Sequence, residues 1–317
     1  MVKLSEIQAA HAGLAGRVHR TPMHTSLALG QLTGTRLFIK AECLQKTGSF
    51  KVRGVFNRIG LLKPEEKERG LVSFSAGNHA QALAYAAAHE RVPCTVVMPA
   101  AASPAKVAAA EGYGAHIVLH GATGLEAFAK MEELQRERGL TLVHPYDDEA
   151  IIAGHGTLGL EVMSDLPDVD VVIVPVGGGG LISGVATAVK ALRPEARVVG
   201  VEPEGAACVR RALDEGQVVR LETTSTIADG LAAPFTSDRV LAHVNAFVDD
   251  VVTVTDSAIR EALAALLART KLLVEPAGAA SLAALMSGAV RVNGNAQVAI
   301  VASGGNVDLH RLKELLP

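Results

Sequence analysis

The chain has 317 residues, 49% of them hydrophobic and 20% charged, with a formal net charge of −3. That composition supports one or two folded domains and excludes a disordered chain. The charge balance, the absence of Trp and the scarcity of Tyr (3) and Phe (7) exclude a basic nucleic-acid footprint and an aromatic base-stacking platform.

Met1 to Glu6 carries no apolar signal core, and no apolar run approaches the roughly 18 residues of a membrane span, so a cytoplasmic protein is expected. Leu37, Ile39 and Ala41 alternate as a strand does. Val52, Val55, Phe56 and Ile59 then fall on one face of a helix. Leu71–Phe74 reads as a strand leading into an alanine-rich helix from Asn78 to Glu90. Val96–Met98 precedes a helix opening at Ser103–Pro104, a cap followed by proline. Ile117–Leu119 precedes a helix from about Thr123 to Arg138. After a polar break at His144–Asp148, the segment Asp170–Val176 is almost wholly apolar, as in a strand buried on both faces. Segments 198–201 and 298–301 look the same, and Ser257–Arg269 and Glu275–Met286 read as helices. This alternation predicts an α/β fold with open, mainly parallel sheets flanked by helices. Cys43, Cys94 and Cys208 are too scattered for a disulfide framework or a CxxC metal site.

Glycine is the compositional outlier, with 31 residues, against about 7% on average. Four segments at predicted strand ends, where open α/β sheets bind ligands, hold much of the chemistry. Gly177-Gly178-Gly179-Gly180 follows a buried strand and opens a helix, so backbone N–H groups can converge on one small anion. It lacks the Lys-Ser/Thr of a P-loop and a clear GxGxxG, which favours a monophosphate. In Lys46-Thr47-Gly48-Ser49-Phe50-Lys51, Lys51 sits where a loop becomes a helix; the dipole there favours its neutral amine, which can form a Schiff base. A reactive lysine beside a phosphate cradle is what pyridoxal phosphate needs. Ser75-Ala76-Gly77-Asn78-His79 could hold a carboxylate or a ring hydroxyl, and Ser303, in Ala302–Asn306, a ring nitrogen.

Taken together and in this order, these segments resemble the threonine/serine dehydratase and serine racemase family, pyridoxal phosphate enzymes of fold type II, built like the tryptophan synthase β chain. Further matching pieces are His144-Pro145, Ile152-Ala153-Gly154, Ala228-Asp229-Gly230 and Glu275-Pro276. The resemblance implies a large domain from residues 1–63 and 149–317, with a small inserted domain, 64–148, closing over substrate. It implies Lys51 as Schiff-base lysine and proton-abstracting base, and Phe50 packed on the cofactor ring. Gly177, Gly178, Gly179 and Gly180 would bind the phosphate, Asn78 the ring 3-oxygen and Ser303 the ring nitrogen. Ser75, Gly77 and His79 would meet the substrate carboxylate. The implied reaction is dehydration and deamination of L-threonine or L-serine to a 2-oxo acid and ammonia, by a homodimer or homotetramer.

Three positions depart from the family pattern. Ala76 replaces the serine that racemases use as a second base, which argues against a serine racemase. Glu202 matches one ligand of the divalent cation in metal-activated members, but Cys208 stands where an aspartate would, and a hard cation prefers oxygen. His155 occupies a place where glutamine is usual and could meet an acidic substrate group, giving a 3-hydroxyaspartate dehydratase as the alternative.

Overall fold

A computed structural model describes residues 1–316. Helix α1 (Leu4–Gly13), strand β1 (Met23–Thr25), α2 (Leu27–Thr33) and β2 (Arg36–Lys40) lead to α3 (Lys51–Gly60) and α4 (Pro64–Arg69). A run of βα units follows: β3 (Leu71–Phe74), α5 (Asn78–Glu90), β4 (Cys94–Met98), α6 (Pro104–Gly112), β5 (His116–Leu119), α7 (Gly124–Arg138) and β6 (Thr141–Leu142). Next come α8 (Glu149–Asp165), β7 (Val171–Pro175), α9 (Gly180–Leu192), β8 (Arg197–Pro203) and α10 (Cys208–Glu215). The last part holds α11 (Asp238–Phe247), β9 (Asp250–Val254), α12 (Asp256–Thr270), α13 (Pro276–Met286), β10 (Gln297–Val301) and α14 (Leu312–Leu315).

The strands form two sheets, as expected for the α/β class. One has six strands in the order β1-β2-β10-β7-β8-β9, parallel except for β1, which runs antiparallel to β2. The other is fully parallel, in the order β5-β4-β3-β6, and takes all its strands from residues 71–142. In the six-stranded sheet the two-residue period of a strand splits the core in two. Val171, Ile173, Val298 and Ile300 face one apolar layer, which includes residues of α12 and α13. Val172, Val174, Ala299 and Val301 face the other, with residues of α8 and α9. Both faces are covered, which is why these strands read as continuous apolar runs.

One helix against this sheet is easy to miss in the sequence, because glycine is a poor helix former. Residues Gly154, Gly156 and Gly159 lie inside α8, and Gly184 inside α9. Their use is close approach. A Cβ at Gly154 would sit 2.6 Å from the Arg53 carbonyl oxygen, and one at Gly184 would sit 2.3 Å from that of Ile152. Helix α8 thus packs almost backbone to backbone against α3 on one side and α9 on the other. The expected cap at Ser103 differs too: Pro104 opens α6 as predicted, but the Ser103 side chain makes no capping hydrogen bond. Among the described residues, no helix is long and apolar enough to cross a membrane.

Candidate active site

The loops that follow β2, β3, β7 and β10 meet at the carboxyl ends of their strands, and backbone bonds stitch two of them together. Phe50 N donates to Ser303 O (3.1 Å), Gly305 N to Gly48 O (2.9 Å) and Cys43 N to Ala302 O (3.0 Å). Ser49 and Gly304 form an isolated antiparallel bridge. This holds Lys51, the first residue of α3, in fixed relation to Ser303. The Lys51 ammonium donates to the Pro145 carbonyl (2.8 Å) and lies 5.2 Å from the Phe50 ring centroid. Ser49 Oγ and Thr47 Oγ1, on the same loop, are buried with no partner among the described residues.

Asn78 is the first residue of α5, not its cap; Gly77 takes that place. Its side chain reaches across instead. Asn78 Nδ2 donates to Glu275 Oε1 (2.5 Å), and Asn78 Oδ1 accepts from Asn306 Nδ2 (2.9 Å), which also donates to Thr47 O (2.7 Å). Glu275, at the N-cap of α13, makes no side-chain cap bond, and its N–H donates to Gly304 O (3.0 Å).

The glycine segment starts α9. Gly179 is its N-cap, with φ +90°, a backbone conformation that side chains rarely adopt. The Tyr146 ring packs on the loop: a Cβ at Gly178 would lie 2.3 Å from Tyr146 Cδ1, and one at Gly180 2.9 Å from Tyr146 Cβ. Tyr146 is in turn fixed by its hydroxyl, which donates to Phe235 O (3.0 Å). The Gly178 carbonyl accepts from Thr236 Oγ1 (3.2 Å), and the first N–H groups of α9 lack intrahelical partners, which makes this helix start a candidate anion site.

Burial sets the electrostatics. Desolvation lowers the Lys51 ammonium to about 8, against a smaller upward pull from the Glu275 carboxylate. Desolvation raises Glu275 to about 7, partly offset by the Asn78 hydrogen bond and by Lys106. His144 is pushed down to about 4 by burial, and its Nδ1 accepts from the N–H groups of Tyr146 (3.3 Å) and Asp147 (2.9 Å).

Lys51, Phe50, Asn78, Ser303, Gly177–Gly180, Ser75 and Gly77 thus lie on converging loops. Two predicted substrate contacts do not. The His79 ring is buried away from the loop, with Nε2 3.1 Å from Ser73 Oγ and 3.0 Å from Val143 O. His155 is fully buried between α3 and α8, its ring 4.7 Å from that of Phe50, with both nitrogens unpartnered among the described residues. Burial holds His79 at about 3 and His155 well below the ordinary histidine range, so both rings are neutral. The structure instead brings to the site three residues for which no role was predicted: Glu275, Asn306 and Tyr146. A carboxylate just before a helix-opening proline was the one available signal for Glu275.

The Glu202 carboxylate is held by the protein itself. Glu202 is fully buried, and its two carboxylate oxygens accept from Val209 N (2.9 Å) and Arg210 N (2.7 Å) at the start of α10. The Cys208 thiol donates to Gly177 O (3.7 Å). One carboxylate beside a thiol falls short of the oxygen set that a hard cation takes, so these side chains are a poor fit for a divalent ion.

Comparison with known proteins matches residues 14–304 to the family described as pyridoxal-phosphate dependent enzyme. L-threonine ammonia-lyase of Thermotoga maritima is 43% identical over 316 residues, covering 100% of this chain and 78% of that protein. L-threonine dehydratase catabolic TdcB of Escherichia coli is 41% identical, covering 99% of this chain and 96% of that protein. Among solved structures, maize serine racemase superposes with a TM-score of 0.95 at 39% identity, covering 99% of this chain and 96% of that one.

Proposed function

The chain belongs to the family of pyridoxal-phosphate dependent enzymes, and from that premise we propose that it is an ammonia-lyase acting on L-threonine or L-serine. Overall, the Cα proton and the β-hydroxyl leave as water, Cβ takes a proton from solvent, and a water molecule replaces the amino group, giving a 2-oxo acid and ammonium. Bound at the site, pyridoxal phosphate supplies an electron-withdrawing ring that acidifies the Cα–H bond of an attached amino acid. The rest falls to the chain's own residues. The N–H groups of Gly177–Gly180 bind the phosphate, and Tyr146 keeps that loop rigid. Phe50 packs on the ring, Asn78 bonds its 3-oxygen and Ser303 its nitrogen. Lys51 holds the cofactor and then, as a neutral amine, takes the Cα proton. Ser75, Gly77 and the free N–H groups at the start of α5 receive the substrate carboxylate.

The observation that carries the reading is Lys51, depressed to about 8 and bonded into the loop that faces the glycine cradle. Racemisation would need a proton donor on the opposite face, and Ala76 has none to give; this favours the lyase over the racemase that the maize structure would suggest. Residues 64–148 close over substrate in this reading, supported by the Lys106–Asp229 ion pair (3.1 Å), which joins α6 to the loop before α11. Assembly into two or four copies belongs to the same reading, with Leu27 and Leu32 on α2 exposed (79% and 62%) as candidate contacts.

The test is spectroscopic and kinetic. The purified protein is expected to absorb near the visible edge, to be bleached by borohydride, and to lose the band on Lys51→Ala. L-threonine or L-serine should exceed 3-hydroxyaspartate in kcat/KM by about tenfold or more, one or two good contacts' worth. A preference for 3-hydroxyaspartate, or substantial D-serine from L-serine, would overturn the substrate and reaction assignments respectively.

A further inference from the structure

Beneath Lys51 lies a cluster of charges that the reaction does not touch. Lys40, Glu42 and Arg53 are 0% exposed and Glu161 2%. The Arg53 guanidinium forks to both acids: Nε and Nη2 donate to Glu42 (2.8 Å each), Nη1 and Nη2 to Glu161 (2.7 and 2.9 Å). Lys40 Nζ donates to Glu161 Oε2 (2.5 Å) and to Thr21 O (2.7 Å), and Thr21 Oγ1 bonds Glu42. Thr157 Oγ1 and His19 O, each at 3.3 Å, complete the guanidinium's partners. Two cations thus face two anions with every fork filled.

Stability alone does not account for this quartet, because well-packed apolar residues commonly do as well in a core. Its placement gives another reason. Arg53 is two residues beyond Lys51 in the first turn of α3, whose N-cap, Phe50, offers no side-chain cap. Lys40 ends β2, and its carbonyl accepts from Ala302 N (3.0 Å), the residue before Ser303. Glu161 belongs to α8, which crosses α3 at Gly54 and Gly154. One set of bonds therefore fixes three elements: the strand beside Ser303, the helix that carries Lys51, and the helix packed under it.

We propose that Arg53 and Glu161 are positioning residues: their double fork locks the rotation and height of α3 and so sets where the Lys51 amine points. The proposal rests on the role given to Lys51 above. The test uses Glu161→Gln and the charge-balanced pair Lys40→Met with Glu161→Gln, which keeps the Arg53–Glu42 fork. For each, the apoprotein melting midpoint, the rate at which the apoprotein captures pyridoxal phosphate, kcat and KM are measured. The charge-balanced pair should melt within about 3 °C of the parent. Its cofactor capture and kcat should still fall by about tenfold or more, with KM changed by less than about threefold, as for a group displaced by a fraction of an ångström. A charge-balanced variant with parental capture rate and kcat would overturn the proposal. Should that variant fail to fold, Thr157→Val, which removes the bond from the fork and a bond to Gly154 O (2.7 Å), is expected to slow capture by about twofold or more while the protein still melts cooperatively; an unchanged rate would overturn it equally. A parent protein that captures no cofactor at Lys51 would instead refute the functional reading itself.

Discussion

Lys51 and Glu275 pull on each other's protons. The amine attacks an aldehyde only when neutral, and its ammonium loses its proton near pH 8. Capture of pyridoxal phosphate by the apoprotein should therefore accelerate about tenfold per pH unit up to that point and level off above it. The Glu275 carboxylate raises the Lys51 value, so Glu275→Gln should move the midpoint of this profile downward. Stopped-flow absorbance across pH 6 to 10, roughly bracketing the transition, measures both, and an unmoved midpoint would show that the two groups do not couple. His155 has a different place in the chemistry from the one its position suggested. It is a neutral ring wedged behind Phe50, and a Cβ at Gly54 would come within 2.6 Å of its Nε2. Gly54→Ala should accordingly destabilise the apoprotein by about 1–3 kcal/mol, the usual cost of overpacking, read from a denaturant melt.

At the level of elements, the glycine loop and Tyr146 form one unit. Gly178→Ala puts a methyl group against the Tyr146 ring at 2.3 Å. It is expected to weaken cofactor binding by about tenfold or more, since a backbone donor aimed at a phosphate is displaced, while the far-ultraviolet spectrum stays unchanged; equilibrium dialysis of the cofactor checks it. That loop was legible in the sequence because its signal is local: an apolar strand, four glycines in a row, then a helix. The strands around it were legible for the same reason, a period of two or an unbroken apolar run. Helix α8 was not, because three interior glycines weaken a helical reading, and only the tight crossings with α3 and α9 explain them. The Asn78–Glu275 contact joins residues 197 apart, and the Arg53–Glu161 fork residues 108 apart. Nothing in residue order announces such pairs, and a buried arginine looks like a surface one until its partners are placed.

For the molecule as a whole, buried neutral histidines and buried carboxyls act in opposite directions on stability. His79 and His144 are held at about 3 and about 4, below the ordinary 6.5. Their contribution is complete above pH 6.5 and is lost as the pH falls toward those values. Glu202 and Glu275 are raised from 4.5 to about 7, mainly by desolvation, so their contribution is complete below pH 4.5 and is lost as the pH rises through 7. The two effects offset each other between 4.5 and 6.5; below 4.5 the histidines act alone, joined by the Glu42–Arg53 pair. At about 1.4 kcal/mol per pKa unit, the apoprotein's melting temperature should drop by roughly 10 °C between pH 5 and 3.5 after changing little from pH 6.5 to 5. Calorimetry across that range would expose a monotonic slope if the carboxyls do not offset the histidines. The charge quartet has a consequence of another kind, for how such a chain can change over generations. Losing any one of Lys40, Glu42, Arg53 or Glu161 strands a charge in the core, so a lineage must substitute these positions in couples or leave them alone. A library that varies them singly will return mostly destabilised variants, whereas one that exchanges them in balanced pairs opens sequences that stepwise drift rarely reaches.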